Sequence, residues 1–140
     1  MRLVDVDTGE ALPELTVPEL NRRMIALADR LDPCQQEIDR LANLKGAADL
    51  RYAAVYDATL VASEAKSVDR REAEAREECR KVPGSSKQGE ALATECSRLD
   101  VQLRIQRECA HNLRSQISAT QSAARLEDSA VRMAGYGGAA

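Results

Sequence analysis

The sequence predicts an all-α fold: an elongated antiparallel helical hairpin or coiled coil with a short N-terminal β-hairpin-like segment. Three observations predict it. Apolar residues recur at alternating spacings of 4 and 3 over two long stretches, which is the heptad pattern of packed helices. Leu, Ala, Arg and Glu dominate the middle and end of the chain, and 31% of residues are charged, a composition typical of long helices. Between the two stretches, "VPGSSKQG" (82–89) gathers Pro, Gly and Ser without periodicity, so the chain turns there. With three Tyr, no Phe and no Trp in 140 residues, the core must come from Leu, Ile, Val, Met and Ala, whose small side chains suit close helix packing in one domain.

The expected organisation is an extended segment over 1–15, a helical coiled-coil domain over 16–133 with its loop at 82–89, and a flexible tail over 134–140. In "RLVDVDTGEAL", Leu3, Val4 and Val6 precede a Thr8-Gly9 turn and Ala11 and Leu12 follow it, the pattern of a short β-hairpin. Such a hairpin is marginal alone and must pack on something else. "LTVPEL" then supplies a helix start. Thr16 caps, Glu19 three residues on completes a capping box, and Leu15 and Leu20 occupy the positions of a hydrophobic staple.

From Leu20 the seam runs through Met24, Leu27, Leu31, Cys34, Ile38 and Leu41, and the same register continues past Gly46 to Tyr52, Val55 and Thr59. Asp32-Pro33 interrupts it without shifting the register, which predicts a kink at Pro33 rather than a new helix. Ser67 to Asp69 marks a bend and a helix start, and the following segment is supported by Glu72–Arg76 and Glu77–Lys81 pairs four residues apart. After the loop, Leu92, Cys96, Leu99, Leu103, Gln106, Ala110, Leu113, Ile117, Thr120 and Ala124 form a second seam, a rod of about 60 Å at about 1.5 Å per residue. The core or oligomer contacts fall on Leu20, Met24, Leu27, Leu31, Ile38, Leu41, Leu99, Leu103, Leu113 and Ile117.

The net charge of −3 indicates no strongly basic or acidic class, so a charged site must arise locally. Asp5, Asp7, Glu10, Glu14 and Glu19 face only Arg2 in the first twenty residues, whereas between residues 98 and 125 Arg98, Arg104, Arg107, Arg114 and Arg125 outnumber Asp100 and Glu108. No stretch approaches the ~18 apolar residues of a membrane span and the start has no apolar leader region, so a cytoplasmic protein is expected. Cys34, Cys79, Cys96 and Cys109 match no CxxC or zinc-ribbon spacing. They read as reduced, mostly buried thiols, with a Cys79–Cys96 pair across the turn as the alternative.

Cys109 and His111, the only histidine, invite a metal or nucleophile reading. Residues two apart on a helix point about 200° from one another, so the two cannot share a ligand site, and no metal or cofactor is expected. Arg104, Arg107, His111 and Arg114 are spaced 3, 4, 3 and therefore share one side of a helix, with Arg125 three heptads beyond Arg104 and Ser118 and Gln121 between. A linear row of cations suits a polyphosphate backbone. The same row also fits a solvated face, or pairing with acids of the first helix such as Glu37 and Asp39. Tyr52 and Tyr56, one turn apart, fit core packing better than base stacking. No phosphate-binding glycine loop, carboxylate pair or Ser/His/Asp set is evident, so no enzymatic activity is expected.

The segments "DVDTGEAL", "LTVPELNRRMIALADRL", "ADLRYAAVYDATLVAS", "SVDRREAEAREE" and "LRSQISATQS" together resemble a group of small helical proteins encoded by bacteriophages, particularly those of actinobacteria. Pro33 and the four cysteines depart from that group. Because such proteins often sit among recombination and replication genes, the resemblance implies a non-enzymatic role around single-stranded DNA or a recombinase, in the host cytoplasm. Arg104, Arg107, Arg114 and Arg125 are the residues that could bear it. The expected protein is a homo-oligomer. The alternative is a structural, adaptor or inhibitor protein that binds a virion or host protein through its helical surface.

Overall fold

The computed structural model describes residues 2–85 and 89–137, the last two by backbone alone. Three helices make up the described chain: α1 (Val17–Ala62), α2 (Val68–Lys81) and α3 (Leu92–Gly137). They pack as two compact units. Unit 1 is Met1–Gln36 with Arg107–Ala140, and unit 2 is Glu37–Gln106. The fold is all-α. No helix among the described residues is long and apolar enough to cross a membrane.

In unit 1, α1 begins with a reciprocal cap. The Thr16 N–H donates to Glu19 Oε2 at 3.1 Å and the Glu19 N–H donates to Thr16 Oγ1 at 3.4 Å, which satisfies two amides that the helix itself leaves without partners. Leu15 and Leu20 line one hollow, as a staple requires. α1 continues through Pro33 without a break. Proline removes the hydrogen bond to the carbonyl four residues back, Asp29, and both residues are exposed, so water can serve that carbonyl.

Leu20 and Leu27 of α1 and Ala110, Leu113, Ala119 and Thr120 of α3 are buried. The two segments run antiparallel here: Val17 shares a hollow with Arg125 and Asp128, Arg23 bonds Thr120 and Gln116, and Gln35 bonds Arg114.

The N-terminal segment shows no β-hairpin strands among the described residues. Its reversal, closed by Gly9 in the left-handed region (φ 73°), holds a single antiparallel bridge between Val4 and Ala11. The bonds from the Asp5 N–H to the Glu10 carbonyl at 2.8 Å and from the Leu12 N–H to the Leu3 carbonyl at 3.0 Å flank that bridge, so the backbone of Val4 points away from Ala11 and bonds elsewhere. Its N–H donates to Gln116 Oε1 at 3.0 Å and its carbonyl accepts from the Arg23 guanidinium. Arg23 also donates to Gln116 Oε1 at 3.1 Å and, through Nε, to the fully buried Thr120 Oγ1 at 3.3 Å. Desolvation pulls the Arg23 guanidinium below its ordinary value. Three segments remote in sequence therefore meet at one side chain.

In unit 2, Ile38, Leu41 and Ala48 of α1 and Leu92, Leu99 and Leu103 of α3 are buried. α2 begins where Ser67 accepts the Arg70 N–H at 3.2 Å. It presents only two fully buried side chains, Ala75 and Cys79, one turn apart and both small. That lets the helix come close enough for Cys79 Sγ to reach the Tyr52 carbonyl at 3.8 Å. The expected Glu72–Arg76 and Glu77–Lys81 pairs are replaced: Glu77 pairs with Arg80 at 3.2 Å, and Arg76 lines a cleft between α2 and the other helices.

The turn after α2 closes with a second bridge, Pro83 to Ala91; residues 86–88 of the expected loop lie outside those described. Behind it sits Glu95, 4% exposed. Its carboxylate accepts the Ser85 N–H at 2.8 Å and the Ser85 hydroxyl, with Arg51 at 3.9 Å. A Cβ on Gly84 would meet that carboxylate, so a side chain there would displace Glu95 from Ser85. At the other end, α3 continues through 134–137, where the sequence predicts a flexible tail. Extending an existing helix by a residue fixes few further dihedrals, which makes continuation easier than a fresh start. Residues 138–140 lie outside those described.

Two outcomes follow from these polar attachments. Arg23→Ala leaves Gln116 and Thr120 short of a donor and releases the Val4 carbonyl; it should cost about 1–3 kcal/mol in urea unfolding and speed proteolysis between residues 5 and 15. Arg23→Lys should recover little of this, because an ammonium cannot hold the forked geometry. For Glu95, the Ser85 hydrogen bonds hold the carboxyl below its ordinary value against the opposing effect of burial. A depressed folded value stabilises the fold above the unfolded value of about 4.3 and is lost as pH falls through the folded one. Glu95→Gln should therefore be less stable than the parent by about 1–2 kcal/mol at neutral pH, with the gap closing as pH falls below the unfolded carboxyl value in parallel urea titrations.

Candidate functional site

The seam residues are used within the chain. Leu20, Leu27, Ile38, Leu41, Leu99, Leu103 and Leu113 are buried, and Met24, Leu31 and Ile117 half-buried. They are core here, and what remains outside is the charged side of α3.

Arg104, Arg107, His111, Arg114 and Arg125 are all exposed. Arg104 belongs to unit 2 and is held by Asp100 of its own helix at 2.8 Å, an i,i+4 pair. The other four belong to unit 1. Arg114 donates to Gln35 Oε1 of α1 at 2.8 Å, a neutral partner that leaves its charge uncompensated. Arg107, His111 and Arg125 enter no ion pair among the described residues. Arg125 shares a hollow of about 400 Å³ with Asn21, Gln121 and Asp128, but Asp128 pairs with Arg132 at 3.2 Å. Glu37, a candidate partner for this row, instead pairs with Arg40 of its own helix at 2.5 Å.

The acid-rich N-terminal segment docks on another flank of α3 and borders this face only where Ser115 lies one turn from His111. Val4, Asp5 and Gly9 lie against Asn112, Ser115 and Gln116. Gln116 lies two residues, about 200°, from Arg114 around the helix. The acids are also occupied locally: the Asp5 carboxylate accepts the N–H groups of Asp7 and Thr8, which lowers its proton affinity, and Asp7 pairs with Arg30 at 2.9 Å. Unit 1 thus carries one side of α3 with Arg107, His111, Arg114 and Arg125 open, and Ser118 and Gln121 as neutral hydrogen-bonding groups between them.

No protein-family model, curated protein or solved structure matches this chain. The chemistry of the site rests on its own side chains, which can bind a row of anions by charge-assisted hydrogen bonds. Among the described residues no group of three or more His, Cys, Asp or Glu could hold a metal ion.

The cysteines lie apart in their roles. Cys79 is buried, Cys34 and Cys96 are half-buried, and no disulfide joins any of the four. Cys109 departs from the expectation of mostly buried thiols, because it falls beside the α3 seam rather than on it. Desolvation pushes the Cys79 and Cys96 thiols up, and for Cys96 the neighbouring Asp49 adds to the effect. Cys109 should therefore account for the fast phase of reaction with an aromatic disulfide reagent in the folded protein, and Cys79 should react only in urea. Cys109→Ser should remove the fast phase.

Proposed function

We propose that this chain is a non-enzymatic accessory protein of phage DNA recombination or replication, which self-associates and holds single-stranded DNA, alone or with a recombinase, along the unit 1 side of α3. In this reading α1 and α3 form an elongated antiparallel coiled coil working in the host cytoplasm without a cofactor. The observation that carries the reading is the open row of Arg107, His111, Arg114 and Arg125, uncompensated by acids in a protein of net charge −3. Its partner is an extended polyanion, read by backbone charge and without sequence preference. Self-association would present several copies of a modest face, so that avidity supplies much of the affinity.

A second reading has its own support. Leu126, Ala130 and Met133 follow one another at spacings of 4 and 3 on the last turns of α3, and Leu126 and Met133 are exposed. Leu126 borders a hollow of about 290 Å³ with Leu3, Leu12 and Leu15. An exposed apolar line of this kind suits a virion or host protein held through the helical surface. Binding that survives nuclease treatment distinguishes it from the first reading.

The test of the DNA reading is a fluorescence anisotropy titration with labelled oligo-dT across a salt series. Three phosphate contacts predict a slope of log affinity against log salt of about −2 per protomer. The combined change of Arg107, Arg114 and Arg125 to Ala should weaken binding at least about tenfold and flatten that slope, whereas Arg104→Ala should change little because Asp100 already holds that cation. No binding of oligo-dT at low salt removes the reading.

A further inference from the structure

Unit 2 contains a cleft of about 490 Å³ where α2 lies against α1 and α3. Its walls carry Lys45, Asp49 and Tyr52 of α1, Arg76 and Arg80 of α2, and Cys96, Ser97 and Asp100 of α3. The charges do not cancel evenly. Lys45 is satisfied by Asp49 at 2.5 Å, and Asp100 by Arg104 at 2.8 Å. Arg80 has only Glu77, in a solvent-exposed pair at 3.2 Å whose contribution is small. Arg76 enters no ion pair among the described residues, and its guanidinium lies close enough to the Tyr52 hydroxyl to act on it electrostatically. Two guanidinium groups one helical turn apart, with Cβ atoms about 5–6 Å from each other, therefore share a wall with no acid to neutralise Arg76.

We propose that this cleft binds a phosphate monoester, with Arg76 and Arg80 clamping the phosphoryl oxygens and the Ser97 hydroxyl completing the set. Two planar guanidinium forks offer more donors than a carboxylate can accept and match the charge of a dianion, which selects phosphate. The cleft acids are already held by Lys45 and Arg104, so a cation finds no open carboxylate pair. The volume falls in the range of about 300–1,000 Å³ typical of small-molecule sites, so the phosphate can bring a nucleoside-sized group with it. Its source is either a free nucleoside monophosphate or the 5′ end of a nucleic-acid strand.

The full-length protein is titrated with inorganic phosphate, AMP, and matched oligo-dT with and without a 5′ phosphate, following amide chemical shifts at constant ionic strength, with acetate as control. Saturable shifts at amides of α2 and of the first turns of α3, with phosphate and not with acetate, are the expected result. Arg76→Gln with Arg80→Gln should weaken binding at least tenfold. Both side chains are exposed, so the fold should persist, and circular dichroism checks it. Arg107→Ala with Arg114→Ala should leave phosphate binding unchanged, which separates this cleft from the unit 1 face. Tighter binding of AMP than of phosphate assigns the free nucleotide, and a preference for the 5′-phosphorylated strand assigns the strand end. Absence of saturable shifts with every phosphate probe, equal shifts with acetate, or shifts that persist in the folded double variant overturns the proposal.

Discussion

Each long helix of this protein has one narrow apolar seam, and that constraint governs how everything else attaches. A core without Phe or Trp is thin. Leu20, Leu27, Leu41, Leu99 and Leu113 are spent on the contacts between α1 and α3, leaving few large apolar groups to hold a third element. The additions are therefore fastened at the flanks of the seam by polar groups or by very small ones. The N-terminal segment is fastened by Arg23 and Gln116, the turn after α2 by Glu95 and Ser85, and α2 itself by Ala75 and Cys79.

Polar fastening has a different consequence from apolar burial. Hydrophobic contact is tolerant of sliding, whereas a guanidinium that must reach the Val4 carbonyl, Gln116 Oε1 and Thr120 Oγ1 together permits one register of α1 against α3 within unit 1. Such groups are useful only if every member is satisfied, because a buried donor or acceptor without a partner costs about 1–3 kcal/mol. Among the described residues no buried side-chain nitrogen or oxygen lacks a hydrogen-bond partner. The buried charge of Glu95 follows the same rule: two donations from Ser85, with Arg51 and Arg98 adding to them, outweigh the desolvation that would otherwise neutralise it.

Local rules reached the helices and their seam positions, the Thr16–Glu19 cap and the Ser67 helix start, because each is set by residues within one or two turns. They did not reach Glu95 and Gln116, which lie beside the α3 seam and are buried where the turn bonds the first and the N-terminal segment the second. The partner of Gln116 is 112 residues away, and periodicity carries no information at that separation. The N-terminal segment shows the same limit: its reversal holds one bridge, and the Val4 backbone groups that face away from it are taken by remote partners. Arg76 shows the limit of pairing rules, since Glu72 at the right spacing does not capture it. For the basic row, spacing located the residues, and the Asp100–Arg104 separation of four already contained the pair that removes Arg104 from it. Which of the remaining cations stay open depended on where the acids fold.

That placement of acids decides how an acidic protein can hold a polyanion at all. Within unit 1 the acid-rich segment and the open cations lie on different flanks of a helix about 10–12 Å across. The Debye length is about 8 Å at physiological ionic strength, so a strand on the cationic side is largely screened from acids beyond the helix while its contacts with Arg107 and Arg114 are not. As salt is lowered the screening length grows past the helix diameter, and the acids begin to oppose binding as the cations favour it more strongly. The salt dependence should therefore be shallower at the lowest concentrations than counterion release from the three arginines alone implies, and Asp5 and Asp7, already engaged by Thr8 and Arg30, set the size of that departure.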